Sequence, residues 1–285
     1  MKGKVVTLTG NDIPRKLREI PSPPKRLYAK GEILQAESIP LLAVVGSRKV
    51  SGYGRDVTSR LIREVADKGV GIVSGLALGV DGLAHEAALE ANAYTVAIMP
   101  AGLDEIYPKS HFHIGKRILK SGGALISEYP EGKPPLLPHF TERNRLVSGL
   151  SDAVLITEAA AKSGTMHTAN FALDQGKTVM AIPGNITSHT SQGTNNLIKA
   201  GAVPVTEAED ILTALGMDST QRQTELFGDT PEETTLLKLI ADSIHDTHQL
   251  QKASELDATQ FNQTLTMLEI NGKIRNQGGG QWTLS

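Results

Sequence analysis

The stretch LLAVVGSRKVSGYGRD, residues 41–56, runs from an apolar segment through a glycine-bearing turn into the start of an amphipathic segment. An apolar run on both faces, rich in β-branched residues, is the pattern of a strand buried inside a parallel sheet. Six further runs repeat it: GIVSG (71–75), TVAIMP (95–100), ALISE (124–128), AVLITEA (153–159), TVMAIPG (178–184) and PVT (203–205). Amphipathic stretches such as DVTSRLIREVADKG (56–69) and DGLAHEAALEAN (81–92) lie between them. Strand–helix alternation of this kind implies right-handed crossovers and an α/β, Rossmann-like, doubly wound and mostly parallel sheet over 41–215. Residues 1–40 form an N-terminal lead-in segment.

The segment 216–230, GMDSTQRQTELFGDT, loses apolar periodicity and reads as a linker. Beyond it, PEETTLLKLIADS (231–243), THQLQKASEL (247–256) and ATQFNQTLTMLEINGKI (258–274) carry helical periodicity. NQGGGQWTLS (276–285) adds a glycine turn and a short strand. Three helices and a β-wing predict a small C-terminal winged-helix domain over 231–285.

Composition narrows the chemistry. The 285 residues include no cysteine, which excludes disulfides, thiolate nucleophiles, iron–sulfur clusters and thiolate zinc sites. MKGKVVTLTGNDIPRKL has no apolar signal core, and no run reaches about 18 apolar residues, so a cytoplasmic protein without a membrane span is expected. Net charge is −2, with +4 in residues 1–40, −1 in 41–215 and −3 in 231–285. No domain is strongly basic, so any nucleic-acid contact is a local site and not a positive face.

Ligands of open α/β sheets bind beyond the carboxyl ends of the strands. Gly46, Ser47 and Arg48 follow the first strand, and backbone amides beside an arginine suit phosphate oxygens. The same residues also suit a tight turn with a solvated Arg48. Gly52 and Gly54 are followed by Val57 where a third glycine belongs, so a dinucleotide fingerprint is not met and no cofactor is expected. Ser74 and Gly75 end the second strand. Asp81 and His85, four apart on one helical face, suit a contact that fastens the helix start; without a third ligand nearby, no metal is expected. Ser163, Gly164 and Thr165 mark a third strand end, and Asn185, Gly193 and Asn195 a fourth. Between strands, Phe140 stands in a loop among polar residues, with Arg143, Asn144 and Arg145 after it. An aromatic flanked by basic groups is what base stacking with phosphate neutralisation requires, although a core anchor with surface arginines reads the same way.

These blocks, in this order, resemble the DprA/Smf family. The match begins at PSPPKRLYAKGE (21–32) and continues through VVGSR (44–48), IVSGLALGVDGLAHEAAL (72–89), AGLDEIYPKSH (101–111) and LISEYPEG (125–132). FTERNRLVSGLSDAVLITEA (140–159), SGTMHTANFAL (163–173), IPGNI (182–186) and SQGTNNLIKAGA (191–202) complete it. The resemblance implies an extended Rossmann fold that binds and protects single-stranded DNA and helps to load the recombinase RecA during natural transformation. It also implies a homodimer through this domain. Carried over by motif, Gly46–Ser47–Arg48 matches the phosphate-contacting loop, Phe140 the base-stacking aromatic, and Arg143-Asn144-Arg145 the family's signature. Members often carry a basic residue where Leu137 stands, which predicts a weaker phosphate contact there. SGTMHTA replaces the commoner SGSLITA and puts His167 on the rim. The twenty residues ahead of the lead-in hold no counterpart of the family's helical SAM-type domain. The −3 charge of the winged helix points to a protein-contact or structural role.

Two other functions compete. EAAAKSGTMHTA (158–169) is superficially similar to the PGGxGTxxE motif of nucleoside-monophosphate phosphoribohydrolases of the LOG type, but Thr168 occupies the position of the catalytic glutamate. A nucleotide-sensing module is the other. Neither accounts for as many blocks, and the chain is read as a binding protein and not an enzyme.

Overall fold

The computed structural model describes residues 4–33, 36, 38–217, 230–241, 244–254 and 256–284. The chain divides into two compact units, Met1–Asp218 and Ser219–Ser285. Apart from Gly216, Met217 and Thr230, the linker expected at 216–230 lies outside the described residues.

In the first unit the seven apolar runs become parallel strands: β3 (Leu41–Val45), β4 (Gly71–Ser74), β5 (Thr95–Met99), β6 (Ala124–Ser127), β7 (Ala153–Ile156), β8 (Thr178–Ala181) and β9 (Val203–Pro204). The lead-in segment supplies two more, β1 (Val6–Thr9) and β2 (Arg26–Gly31), so it is part of the sheet and not a flank. Both run antiparallel, β2 against β6 and β1 against β2. The signal is present in RLYAKG, where buried Leu27 and Ala29 alternate with more exposed neighbours, the period of a half-buried strand. The order across the sheet is β1-β2-β6-β5-β4-β3-β7-β8-β9.

Burial on both faces explains the unbroken apolar runs. Leu42, Val44 and Ile72 face α2 (Gly52–Ala66), α3 (Val80–Glu90) and α8 (Ala208–Ala214). Ala97 and Leu125 on that same side meet Ile114 and Ile118 of α4 (Phe112–Lys120). Leu41, Ala43 and Val45 point the other way, to α1 (Arg15–Arg18), α5 (Leu137–Leu150), α6 (Thr165–Asp174) and α7 (Gln192–Lys199). Each of the larger side chains, Leu, Val or Ile, contributes about 1.5–3 kcal/mol by leaving water.

The strand order reverses at β3. From it the chain steps outward through β4, β5 and β6, then α5 carries it back across the sheet to β7 on the other side of β3. The turns that leave β3 and β7 therefore diverge and open a crevice at the carboxyl ends of the strands.

Among its described residues the second unit has three helices, α9 (Pro231–Ala241), α10 (Thr247–Ser254) and α11 (Ala258–Ile270). A hairpin of β10 (Ile274–Gly278) and β11 (Gln281–Leu284) follows, one strand more than the sequence suggested. Gly278, Gly279 and Gly280 all adopt positive φ, which makes the tight turn. Leu237, Leu250, Phe261, Leu265 and Trp282 form the core of this unit. Among the described residues no helix is long and apolar enough to cross a membrane.

His85 sits fully buried in α3, with Nδ1 2.7 Å from the Thr95 hydroxyl, which itself donates to the Ile72 carbonyl. Burial, with the charges of His111 and Arg143 adding to it, pulls the imidazole down from 6.5 to about 3, so the folded protein holds it neutral. As pH falls below about 6.5 the unfolded chain takes up this proton first, so the stability is complete above that value and is lost progressively toward 3. Urea unfolding is expected to show that wild type loses about 2 kcal/mol more than His85→Gln between neutral pH and about pH 5. Equal pH dependence in the two proteins would contradict the buried neutral imidazole.

Candidate functional site

A cleft of about 710 Å³ occupies the crevice between the turns after β3 and β7. Gly46, Ser47 and Arg48 line one side, Ser163, Gly164 and Thr165 the other, and Leu137, Phe140 and Asn144 of α5 close it. The two turns are laced together. The Ser47 amide donates to the Glu158 carbonyl at 2.8 Å, and the Thr165 hydroxyl to the Gly46 carbonyl at 3.1 Å. A Cβ on Gly46 would lie 2.7 Å from Val80 and 2.9 Å from the Glu158 carbonyl, so only glycine fits where the strand ends meet.

Beneath this lacing lies a carboxylate that the sequence reading did not single out. Glu158, 2% exposed, accepts from the Ser51 amide at 2.8 Å, the Ser51 hydroxyl at 2.6 Å and the Thr190 hydroxyl at 2.9 Å. The Ser51 oxygen in turn accepts from the Gly54 amide at 3.0 Å and caps α2. One buried acid thus joins the end of β7, the turn after β3, the start of α2 and the turn at 188–191.

The upper wall is aromatic and cationic. Phe140 is half-buried in the first turn of α5, not in a loop, and Pro138 just ahead of it suits a helix start. The exposed Arg48 holds its guanidinium carbon 5.4 Å from the Phe140 ring centre. Tyr107, missed by the sequence reading, meets the same ring edge-on with centres 5.7 Å apart. Its tyrosine–proline pair stands in a polar stretch, which was the available signal. Lys49, Lys162 and His189 also line the cleft. Leu137, 87% exposed, puts an apolar group on the rim where a cation was the commoner choice. Among the described residues, the amides of Arg48 and Gly164 have no intramolecular acceptor. Both residues line the cleft.

Several expected contacts are engaged within the protein or lie off the cleft. Arg143 lines the cleft from beneath, but it is only 5% exposed and donates to the Ile98 carbonyl, with its guanidinium packed against Gly75. It is not a free phosphate fork. Burial lowers its pKa, and burial raises that of Asp81, against which its charge acts as partial compensation. Asp81 accepts from the Gly75 amide at 3.1 Å, and His85 goes to Thr95, so the expected Asp81–His85 contact does not form. Arg145 points to Glu128, donating to both carboxylate oxygens at 2.7 and 2.8 Å, and does not line the cleft. Ser74 is fully buried, with its hydroxyl on the Val44 carbonyl, and Gly75 is buried beside it. Gly193 is buried under the carbonyls of Ala159 and Ala160. Asn195 spends its amide group on Gly184, while exposed Asn185 closes a local turn on Thr187. His167 is exposed on α6, and it is Thr168 beside it that lines the cleft. Among the described residues no three His, Asp or Glu side chains are grouped to hold a metal.

Comparison with known proteins adds an independent line. A family model described as DNA recombination-mediator protein A matches residues 4–216, and one described as the DprA winged helix domain matches 220–280. The chain is 46% identical to Protein Smf of Escherichia coli over 192 residues, 67% of this chain and 51% of that protein, so it spans about half the length of that relative. It is 36% identical to the DNA processing protein DprA of Bacillus subtilis over 210 residues, 74% of this chain and 70% of that protein. The structure is similar to DprA of Streptococcus pneumoniae, with a TM-score of 0.69, 37% identity and 74% of each chain covered. A DprA structure from Helicobacter pylori, described for its single-stranded DNA binding mode, has a TM-score of 0.68 at 34% identity, covering 76% of this chain and 97% of that one.

Replacing Glu158 by Ala leaves the Ser51 amide and two hydroxyls without their shared acceptor. Charged hydrogen bonds contribute about 1.5–3 kcal/mol each, so a stability loss of about 3 kcal/mol is expected, with faster hydrogen exchange at Ser51 and Gly54. Unchanged unfolding and exchange would show that the turns hold without the carboxylate.

Proposed function

The chain belongs to the DNA recombination-mediator protein A (DprA/Smf) family, and on that premise we propose that the cleft between β3 and β7 binds single-stranded DNA. The observation that carries the reading is the Arg48–Phe140 pair at the mouth of a cleft lined by unpaired backbone amides.

Magnitudes assign the parts. An exposed guanidinium on an aromatic face contributes about 0.5–1 kcal/mol. A stacked base contributes about 1–3 kcal/mol. An incoming base therefore displaces Arg48 from the Phe140 face, and the freed guanidinium swings to a phosphate, where charge-assisted hydrogen bonds are stronger. The amides of Arg48 and Gly164 hold phosphate oxygens, while Ser47, Asn144, Ser163 and Thr165 supply neutral hydrogen bonds. Stacking needs a base with an open face, which an unpaired strand offers and a duplex does not.

Charge sets the regime. The residues 41–215 that contain the cleft carry 16 basic and 17 acidic side chains, and Leu137 stands where a cation would add to the field. Affinity therefore leans on stacking and local hydrogen bonds more than on counterion release. A cytoplasmic location, hand-over of the coated strand to RecA, and a homodimer formed through the Rossmann-like unit belong to the same proposal, and the family resemblance is their support.

Arg48→Glu is expected to abolish binding of a labelled oligothymidylate in fluorescence anisotropy, and Phe140→Ala to weaken it by about fivefold to a hundredfold. Wild-type affinity in both variants would place the site elsewhere.

A further inference from the structure

Next to this cleft, and sharing Arg48 and Lys49 with it, lies a second hollow of about 310 Å³. Arg55 of α2, His111 ahead of α4, and Gly82 and Glu86 of α3 form its other walls. Building on the single-strand reading, we propose that this hollow is a second phosphate subsite, which grips a phosphodiester of the same strand beyond the stacked base.

The basic side chains of the hollow lack carboxylate partners. Arg48, Lys49 and Arg55 are exposed, and among the described residues none has a carboxylate partner. Three other exposed arginines of this unit are paired, Arg15 with Glu19, Arg60 with Glu64 and Arg63 with Glu90. Glu86, the acid in the lining, faces the Nε2 atom of His113 at 3.5 Å, so its charge has a local partner that is cationic when protonated. Three unpaired cations around one concavity repel one another, and an anion seated among them relieves that repulsion.

His111 is built into the wall. Its Nδ1 lies 3.0 Å from the Leu76 carbonyl, and a carbonyl only accepts, so Nδ1 donates there, and Nε2 donates to a phosphodiester oxygen when the ring is protonated. The ring lies so close to Gly82 that a Cβ there would stand 2.5 Å from Cε1, which fixes its place in the wall. No Phe, Tyr or Trp lines the hollow, so it has nothing on which a base stacks and everything a phosphate needs. Because Arg48 and Lys49 border both concavities, a strand leaving the stacking cleft passes directly into the hollow.

The test compares a thymidine trinucleotide with a long oligothymidylate for wild type, Arg55→Gln and Phe140→Ala, each over a salt series. Arg55 is exposed and pairs with no carboxylate, so its replacement leaves the fold intact. Arg55→Gln is expected to bind the long strand about threefold to tenfold more weakly, with a salt slope lower by about 0.7, and to bind the trinucleotide like wild type. Phe140→Ala weakens both ligands. Wild-type binding of the long strand by Arg55→Gln, or an equal loss on both lengths, would overturn the second subsite while leaving the stacking cleft in place. Undiminished binding by Phe140→Ala would overturn the cleft itself.

Discussion

One buried carboxylate holds the site in shape. Glu158 lies just beyond β7 inside the domain and accepts three hydrogen bonds from Ser51 and Thr190. A buried charge is costly unless its lone pairs are satisfied. The partners it recruits come from the turn after β3 and the turn at 188–191, so satisfying Glu158 requires the strand-end turns to converge. Gly54 approaches so closely that a Cβ would lie 2.2 Å from the carboxylate, and no larger residue fits at that position. The crevice that the topology opens at the reversal of strand order is thereby given a fixed floor, and Arg48 a fixed point of departure.

A second buried charge works from below. Arg143, held by the Ile98 carbonyl and compensated by Asp81, lies under the cleft beside Gly75. Its charge acts through a short layer of protein while its side chain is committed to structure. The charge of Arg48 opposes that of Arg143, and Arg48 itself stands exposed with its guanidinium over the Phe140 face. The exposed and the buried arginine thus divide the labour of the local field: one is free to move to a ligand and the other stays. This arrangement concentrates positive potential at one place on a chain whose net charge is −2.

Legibility followed burial. The strands β3 to β8 could be read because nearly all their residues are buried on both faces, which leaves mostly apolar runs, whereas the short edge strand β9 is exposed. β2 was passed over because one of its faces is wetter, and RLYAKG looks like a charged lead-in until its alternation is weighed. On α5, Phe140 and Arg143 are three apart and share the face that lines the cleft, but one turn further into the helix the arginine is buried and held by the Ile98 carbonyl. Arg145, two further on, turns away to Glu128. Asp81 and His85 are correctly spaced for contact, yet backbone amides and Thr95 compete better for them. Glu158 carried a signal of its own, a single acid within AVLITEA, but an acid at a strand end reads as solvated until the structure shows what covers it. Ser74 and Gly193 belong to the same lesson, since small polar residues at strand ends serve packing as often as ligands.

Competition between an unpaired strand and a duplex of equal length, followed across a salt series, tests the stacking cleft most directly. Expected is a strong preference for the single strand, whose affinity declines only gently as salt rises, because an open ring face and neutral donors carry much of the binding. Equal affinity for the duplex with a steep salt slope would show instead a phosphate-reading surface, in which the ring of Phe140 has no part.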